Sequence, residues 1–307
     1  MTDLREKLRL RLYGESWHDL LSLEQANAIH EENVIKVTEA LELRKDRKRP
    51  IHIVGIAGSN RNVQNCSHET SNSWLMIRKA MEYCSRMEDV ATHAFNLSSM
   101  DIEHCNGCYS STSSLCRFPC DCHVVDDMHE VYVQLTLADG ILFSTPVNQY
   151  LPGSRMKALL DRLISMDGGR FAPRYNVDGE TWKNTESKNA EQRVAVRGDF
   201  RYVQRLAGKV CAVFATSKDY GSFKVAQDIL AGMNMYGCFI PPNAILNWNS
   251  PRVAKDTAYD KADFLQALEG DGWIGRWIEQ ICDTVVETAR LVRGKETLWM
   301  EHMTGRS

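Results

Sequence analysis

Five of the ten cysteines fall within 18 residues, spaced Cys105-x2-Cys108-x7-Cys116-x3-Cys120-x-Cys122. Thiolates ligate iron–sulfur clusters and zinc, and four suffice for either. The run reads as a metal centre with one thiol to spare, as redox thiols, or as free buried thiols. His104, His123 and His129 flank it and read as surface or structural histidines. A second concentration of chemistry is the turn Gly58-Ser59-Asn60-Arg61, continuing to Asn65-Cys66-Ser67. A turn leading from a strand into a helix presents unpaired backbone N–H groups at the positive end of the helix dipole, where phosphate binds. Ser59 and Ser67 add hydroxyls, and Arg61 adds a charged fork suited to phosphate oxygens. There is no Gly-x-Gly-x-x-Gly and no Gly-Lys-Ser/Thr, so a single terminal phosphate fits better than a dinucleotide or a nucleoside triphosphate. Turn chemistry alone also explains Gly, Ser and Asn here.

The elements that must position these residues follow from periodicity. Ile51–Ala57, Gly140–Thr145 and Lys209–Ala215 are short, apolar runs of the kind buried on both faces of a parallel sheet. A weaker strand is expected over 90–97 and a last one over Cys238–Pro241. Helices are expected over 70–86, from Asp127 with Glu130 as a capping pair, over Met156–Leu163, after Gly221, and along Ile274–Val285. Before them, Leu23, Ala26, Val34, Val37 and Leu41 form a helical stripe broken by His30, with Ser22 and Gln25 as a capping box. The basic run from Arg44 to Arg49, closed by Pro50, reads as a solvated helix end. Cys84 and Cys211 fall in core patterns, and Trp273, Trp277 and Trp299 read as packing a core or a subunit interface.

Strands alternating with helices call for a parallel sheet covered on both faces. Five strands fit a flavodoxin-like, doubly wound α/β fold of order 2-1-3-4-5, whose ligands bind at the carboxyl ends of the strands. The loops 58–71, 145–153 and 215–222 should then converge. The expected organisation is a helical extension over 1–49, one flavodoxin-like domain over 50–294 with inserted loops at 105–122 and 168–207, and a tail over 295–307. The composition, 43% hydrophobic and 25% charged, is that of an ordinary globular chain. The net charge of −3 gives no general pull toward nucleic acid or anionic lipid. No apolar run reaches the roughly 18 residues of a transmembrane helix. The first thirty residues lack the apolar core of a secretory signal, so the expected location is the cytoplasm.

Gly58-Ser59-x-Arg61, a Cys-x-x-Cys segment running into Asp126-Asp127-Met128, and Thr145-Pro146-Val147 followed by Lys157-Ala158-Leu159-Leu160-Asp161-Arg162 form an ordered set. Together they resemble the NAD(P)H-dependent FMN reductase family, especially its iron–sulfur flavoprotein branch, over about residues 50–240. The resemblance implies non-covalent FMN. It places Ser59, Arg61 and Ser67 on the phosphate, with Ser71 and Ser73 as alternatives to Ser67 because the first loop is longer than usual. Pro146, Val147, Asn148, Gln149 and Tyr150 would line the isoalloxazine ring. Thr216, Ser217 and Gly221 would approach the flavin from another side. It further implies NAD(P)H as donor, a small-molecule acceptor such as a quinone, nitro or azo compound, and a homodimer or homotetramer. The alternative is an electron carrier with FMN and a [4Fe–4S] cluster, serving ferredoxin-type partners. The cysteine spacing departs from the compact Cys-x2-Cys-x2-Cys pattern of that branch, with Ser111 where the third cysteine would stand; Cys116 or Cys120 would replace it.

Overall fold

A computed structural model describes residues 21–64, 68–111, 116–120, 122–167, 204–218, 220–249, 261–270 and 272–295. The strands are β1 (Ile51–Ala57), β2 (Val90–Asn96), β3 (Gly140–Asn148), the two-residue β4 (Leu151–Pro152), β5 (Val210–Ser217) and β6 (Ile245–Asn249). The sheet order is β2-β1-β3-β5-β6, with every neighbouring pair parallel. Leaving out β4, which pairs antiparallel with the end of β3, this is the flavodoxin-like order 2-1-3-4-5. β1, β3 and β5 are buried almost throughout, which is why their sequences are continuous apolar runs rather than alternating ones.

Besides a single helical turn at Cys108–Ser111, inside the segment expected to be a loop, the described helices are α1 (Leu23–Lys45), α2 (Asn72–Cys84), α3 (Met128–Leu137), α4 (Ser154–Arg162), α5 (Ser222–Met235), α6 (Lys261–Leu268) and α7 (Trp273–Val292). α2 packs on β1, β2 and β3 with α7 beside it, α5 covers β5 and β6, and α3 lies against β1 with α1 packed on it. The capping box of Ser22 and Gln25 is formed at the start of α1. Cys84 and Cys211 are fully buried core thiols.

Several local expectations are corrected. The last strand is not Cys238–Pro241. Phe239 makes only an isolated bridge to Val210, and the strand begins at Ile245. Pro241 and Pro242 have no N–H to give a ladder, and Asn243 turns the chain with φ 57°. The buried face of α1 runs through Ala26, Ile29, His30, Asn33, Val37 and Ala40. His30 lies in the stripe rather than interrupting it, and Asn33 is accommodated by donating to the Val124 carbonyl at 2.9 Å. Asp127 gives α3 no side-chain cap. Asp126 takes that place, accepting from the Met128 N–H at 3.2 Å.

The basic run is not simply a solvated helix end. Arg44 donates to the Thr136 and Ala138 carbonyls at 3.0 and 2.8 Å, satisfying acceptors at the end of α3. The fully buried Lys209 reaches the same two carbonyls from β5's approach. Burial holds its ammonium well below the ordinary lysine range. Arg49 grips the Asp139 carboxylate with two hydrogen bonds of 2.8 Å. Trp273 and Trp277 are each more than 40% exposed at the start of α7, so they do not pack a core; Trp299 lies outside the described residues.

A cavity at the carboxyl edge of the sheet

The carboxyl ends of β1, β3, β5 and β6 open on one cavity of about 500 Å³. Ser59, Asn60 and Arg61 line it from the first loop, Ser71, Asn72 and Ser73 from the start of α2, and Pro146, Val147 and Asn148 from the end of β3. Thr216, Ser217 and Lys218 contribute from β5, and Trp248 from β6. The three loops expected to meet do meet here. Ser67 lies outside the described residues. Gln149, Tyr150 and Gly221 stand beside this lining rather than within it.

The first loop must turn sharply because β1 ends under α4. The Gly58 N–H donates to the Ser144 carbonyl at 2.7 Å. A Cβ on Gly58 would sit 2.4 Å from the Met156 Cβ, so the close approach needs glycine. Ser59 is buried and its hydroxyl accepts from the Arg61 N–H at 3.1 Å. Asn60 donates to the Ser154 hydroxyl at 2.7 Å, tying the loop to α4. Ser71 caps α2 by accepting from the Trp74 N–H. The N–H groups of Asn72 and Ser73 belong to the first turn, which has no intrahelical acceptors for them. The Arg61 guanidinium lies 3.5 Å from the Glu69 carboxylate, both half-exposed.

On the other side, β3 runs two residues past Pro146 and folds back as a hairpin whose two turn residues are Gln149 and Tyr150, with φ of 51° and 61°. Positive φ at both positions is the type I′ requirement that Asn-Gly usually meets, so this turn carries strain next to the cavity. Thr145 supports it, its hydroxyl accepting from the Gly153 N–H at 3.1 Å. Tyr150 is largely exposed. Gly221, at φ 93°, lets the chain pass close under Tyr150 into α5.

Ser217 donates to Asn249 at 2.5 Å and Ser222 donates to the same oxygen at 2.7 Å. The Ser217 hydroxyl proton is therefore engaged within the chain, which leaves Thr216 as the hydroxyl of this pair facing the site. Asn72, Lys218 and Trp248 were not singled out by sequence reasoning. Trp248 sits on the edge strand β6, whose exposure alternates, and its register opposite Thr216 brings it to the cavity. The aromatic residue at the fourth position of β6 would have been the signal, had the sequence reading placed that strand at Ile245–Asn249.

The cavity suits an elongated ligand with an anionic end and a flat apolar body. One wall holds a helix N-terminus, serines and Arg61, and the other Pro146, Val147 and the Trp248 indole. The Trp248 N–H is buried without a hydrogen-bond partner among the described residues. FMN has these features.

None of the described residues of the cysteine segment lines this cavity. The segment's start is held by a buried pair: Arg162 donates to Asp126 at 2.5 Å and to the Glu103 carbonyl at 3.1 Å. Both side chains are about fully buried. This gives Asp126 and Arg162, two members of the ordered motif set, a structural task. Cys116 and Cys120 are buried, and Cys105 and Cys122 are partly so. The Arg205 guanidinium, over the Phe118 ring at 4.6 Å, lies beside this segment. Among the described residues no three His, Cys, Asp or Glu side chains converge as metal ligands. The Cys108 side chain and residues 112–115 lie outside that description.

Residues 51–177 match the model of the NADPH-dependent FMN reductase family. The chain is 29% identical over 145 residues to an iron–sulfur flavoprotein of Methanosarcina thermophila, covering 47% of this chain and 69% of the relative. It is 27% identical over 145 residues to an iron–sulfur flavoprotein of Methanocaldococcus jannaschii, covering 47% and 67%. The fold is similar to that of RosB, solved with bound 8-demethyl-8-formylriboflavin-5′-phosphate, with a TM-score of 0.54 and 14% identity over 84% of this chain and 88% of RosB. The matched segment supplies the first loop, α2 and the β3 hairpin of the cavity. The β5 and β6 walls come from beyond it. No described helix is long and apolar enough to cross a membrane.

Proposed function

We propose that this chain is an FMN-dependent oxidoreductase that takes electrons from NAD(P)H and passes them to a small acceptor such as a quinone, nitro or azo compound. The observation that carries the reading is the single cavity in which a helix N-terminus and Arg61 face an apolar wall of Pro146, Val147 and Trp248. Bound FMN supplies hydride acceptance at N5 and electron release singly or in pairs. The chain's part is placement and electrostatics. The N–H groups of Asn72 and Ser73, the hydroxyls of Ser59 and Ser71, and Arg61 hold the phosphate. Ser67 remains in the proposal as a further phosphate ligand. Pro146 and Val147 exclude water from the ring, and Asn148 and Thr216 offer polar contacts at its edge. No side-chain nucleophile or general base is required. The working form in this reading is a cytoplasmic homodimer or homotetramer.

Anaerobic mixing of the FMN-loaded protein with NADPH or NADH tests this. Loss of the flavin's visible absorbance within seconds supports a reductase. Reduction by a ferredoxin or dithionite alone, with neither nicotinamide effective, would show a carrier instead. The carrier reading is favoured by one specific observation: both curated relatives are iron–sulfur flavoproteins, and Cys105, Cys108, Cys116, Cys120 and Cys122 offer enough thiols for a [4Fe–4S] cluster. Iron and sulfide analysis of anaerobically purified protein decides that point separately.

A further inference from the structure

We propose that Lys261 is a positioning residue of the phosphate end of the cavity: it braces the first turn of α2 and adds the second positive charge, beside Arg61, that makes the site select a phosphorylated flavin over an unphosphorylated one. The inference rests on the FMN reading and deepens it. Lys261 opens α6, far along the chain from the matched segment. Its ammonium donates to the Thr70 carbonyl at 2.6 Å and to the Asn72 Oδ1 at 2.7 Å. These two acceptors straddle Ser71, the cap of α2, and Asn72 lines the cavity. The contact spans 191 and 189 residues of sequence.

Two physical consequences follow. First, the bridge fixes the orientation of the helix turn whose residues Ser71, Asn72 and Ser73 line the cavity, and preorganised groups bind an anion without having to be ordered by it. Second, an ammonium with three protons and two acceptors among the described residues keeps one donor, and its charge is partly withdrawn from water. Charge in a partly desolvated site acts more strongly than on the surface. The charged groups around it are Arg61 and Glu69. Burial lowers the tendency of Lys261 to hold its proton, Glu69 restores some of it, and Arg61 opposes it. Two cations against one carboxylate leave the loop one positive charge in surplus, which attracts an anionic phosphate. The Lys261 ammonium also lies over the buried Phe264 ring, 5.8 Å from its centre.

The test compares FMN with riboflavin, which shares the ring and ribityl chain and lacks the phosphate. Dissociation constants are measured by fluorescence titration for the wild type, Lys261→Met and Lys261→Arg, with thermal unfolding recorded for each. Lys261→Met should weaken FMN roughly tenfold, equivalent to about 1.4 kcal/mol, while riboflavin affinity stays within about twofold. Lys261→Arg should recover most of the FMN affinity. Raising salt should weaken FMN binding by the wild type more than by Lys261→Met, because screening removes charge effects. Equal weakening of both flavins would mean that Lys261 only holds the fold, and no change in either would mean that it does neither; each overturns the proposal. If Lys261→Met does not fold, Lys261→Gln and the wild-type salt dependence carry the comparison, and an FMN affinity indifferent to salt overturns it. A wild type that binds neither flavin overturns the FMN reading itself, a result read before any variant is made.

Discussion

Arg61 carries the most direct residue-level consequence. Its guanidinium already has a partner in Glu69 at 3.5 Å, long for an ion pair and half-exposed, so little holds it there. A phosphate at the start of α2 would compete well for the same fork. Arg61→Ala should therefore weaken FMN by about 1.5 kcal/mol, the low end for a hydrogen bond to a charged group, because Glu69 is released from the competition at the same time. Fluorescence titration checks it; an unchanged dissociation constant would remove Arg61 from the site. Arg61 and Ser59 were legible in the sequence because a glycine turn directly follows the apolar strand run and a helix comes next along the chain. Lys261 was not. Its only role is made across the whole domain, and nothing in its neighbours marks it. Ser217 shows the converse: its residue type suits a flavin contact, but its hydroxyl is spoken for by Asn249.

At the scale of elements, Asp139 joins parts of the chain that are far apart in sequence. It sits between α3 and β3 and accepts from Arg49, from Arg293 at the end of α7, and from the His52 N–H of β1. Burial alone would raise its pKa, but the Arg293 and Arg49 guanidinia and the His52 N–H outweigh it and hold the carboxyl at about 2. A carboxylate depressed in the folded state stabilises the fold fully above its unfolded pKa of about 3.9 and loses that contribution as pH falls through the folded value. The stability difference between wild type and Asp139→Asn should thus shrink between about pH 4 and about pH 2, by about 2 kcal/mol. Urea midpoints across that range measure it, and a constant difference would show that the pair is not what holds these ends together. The buried strands were readable as apolar runs, and α2, α4 and α7 as helical stripes. β6 was not, because an edge strand alternates and the apolar Cys238–Ile240 stretch before the two prolines offered a stronger false signal. α1 was readable as a helix but not in its exact face, since the core accepts His30 and Asn33 there.

For the whole molecule, the doubly wound order decides where chemistry can happen. It brings loops from β1, β3, β5 and β6 to one edge, and the cavity lies there. Seven of the eleven flavin-contacting residues expected from the sequence line it: Ser59, Arg61, Pro146, Val147, Asn148, Thr216 and Ser217. That much was legible because parallel sheets place ligands at strand ends. The far wall, Trp248 and Lys218, needed the actual register of β5 and β6. The central claim is that this cavity holds FMN. It is tested most directly by titrating FMN into purified, flavin-stripped protein and following the flavin's absorbance and fluorescence. The account predicts saturable binding of one FMN per chain, tighter than riboflavin. A preparation that leaves the flavin spectrum and fluorescence unchanged at saturating protein would contradict it.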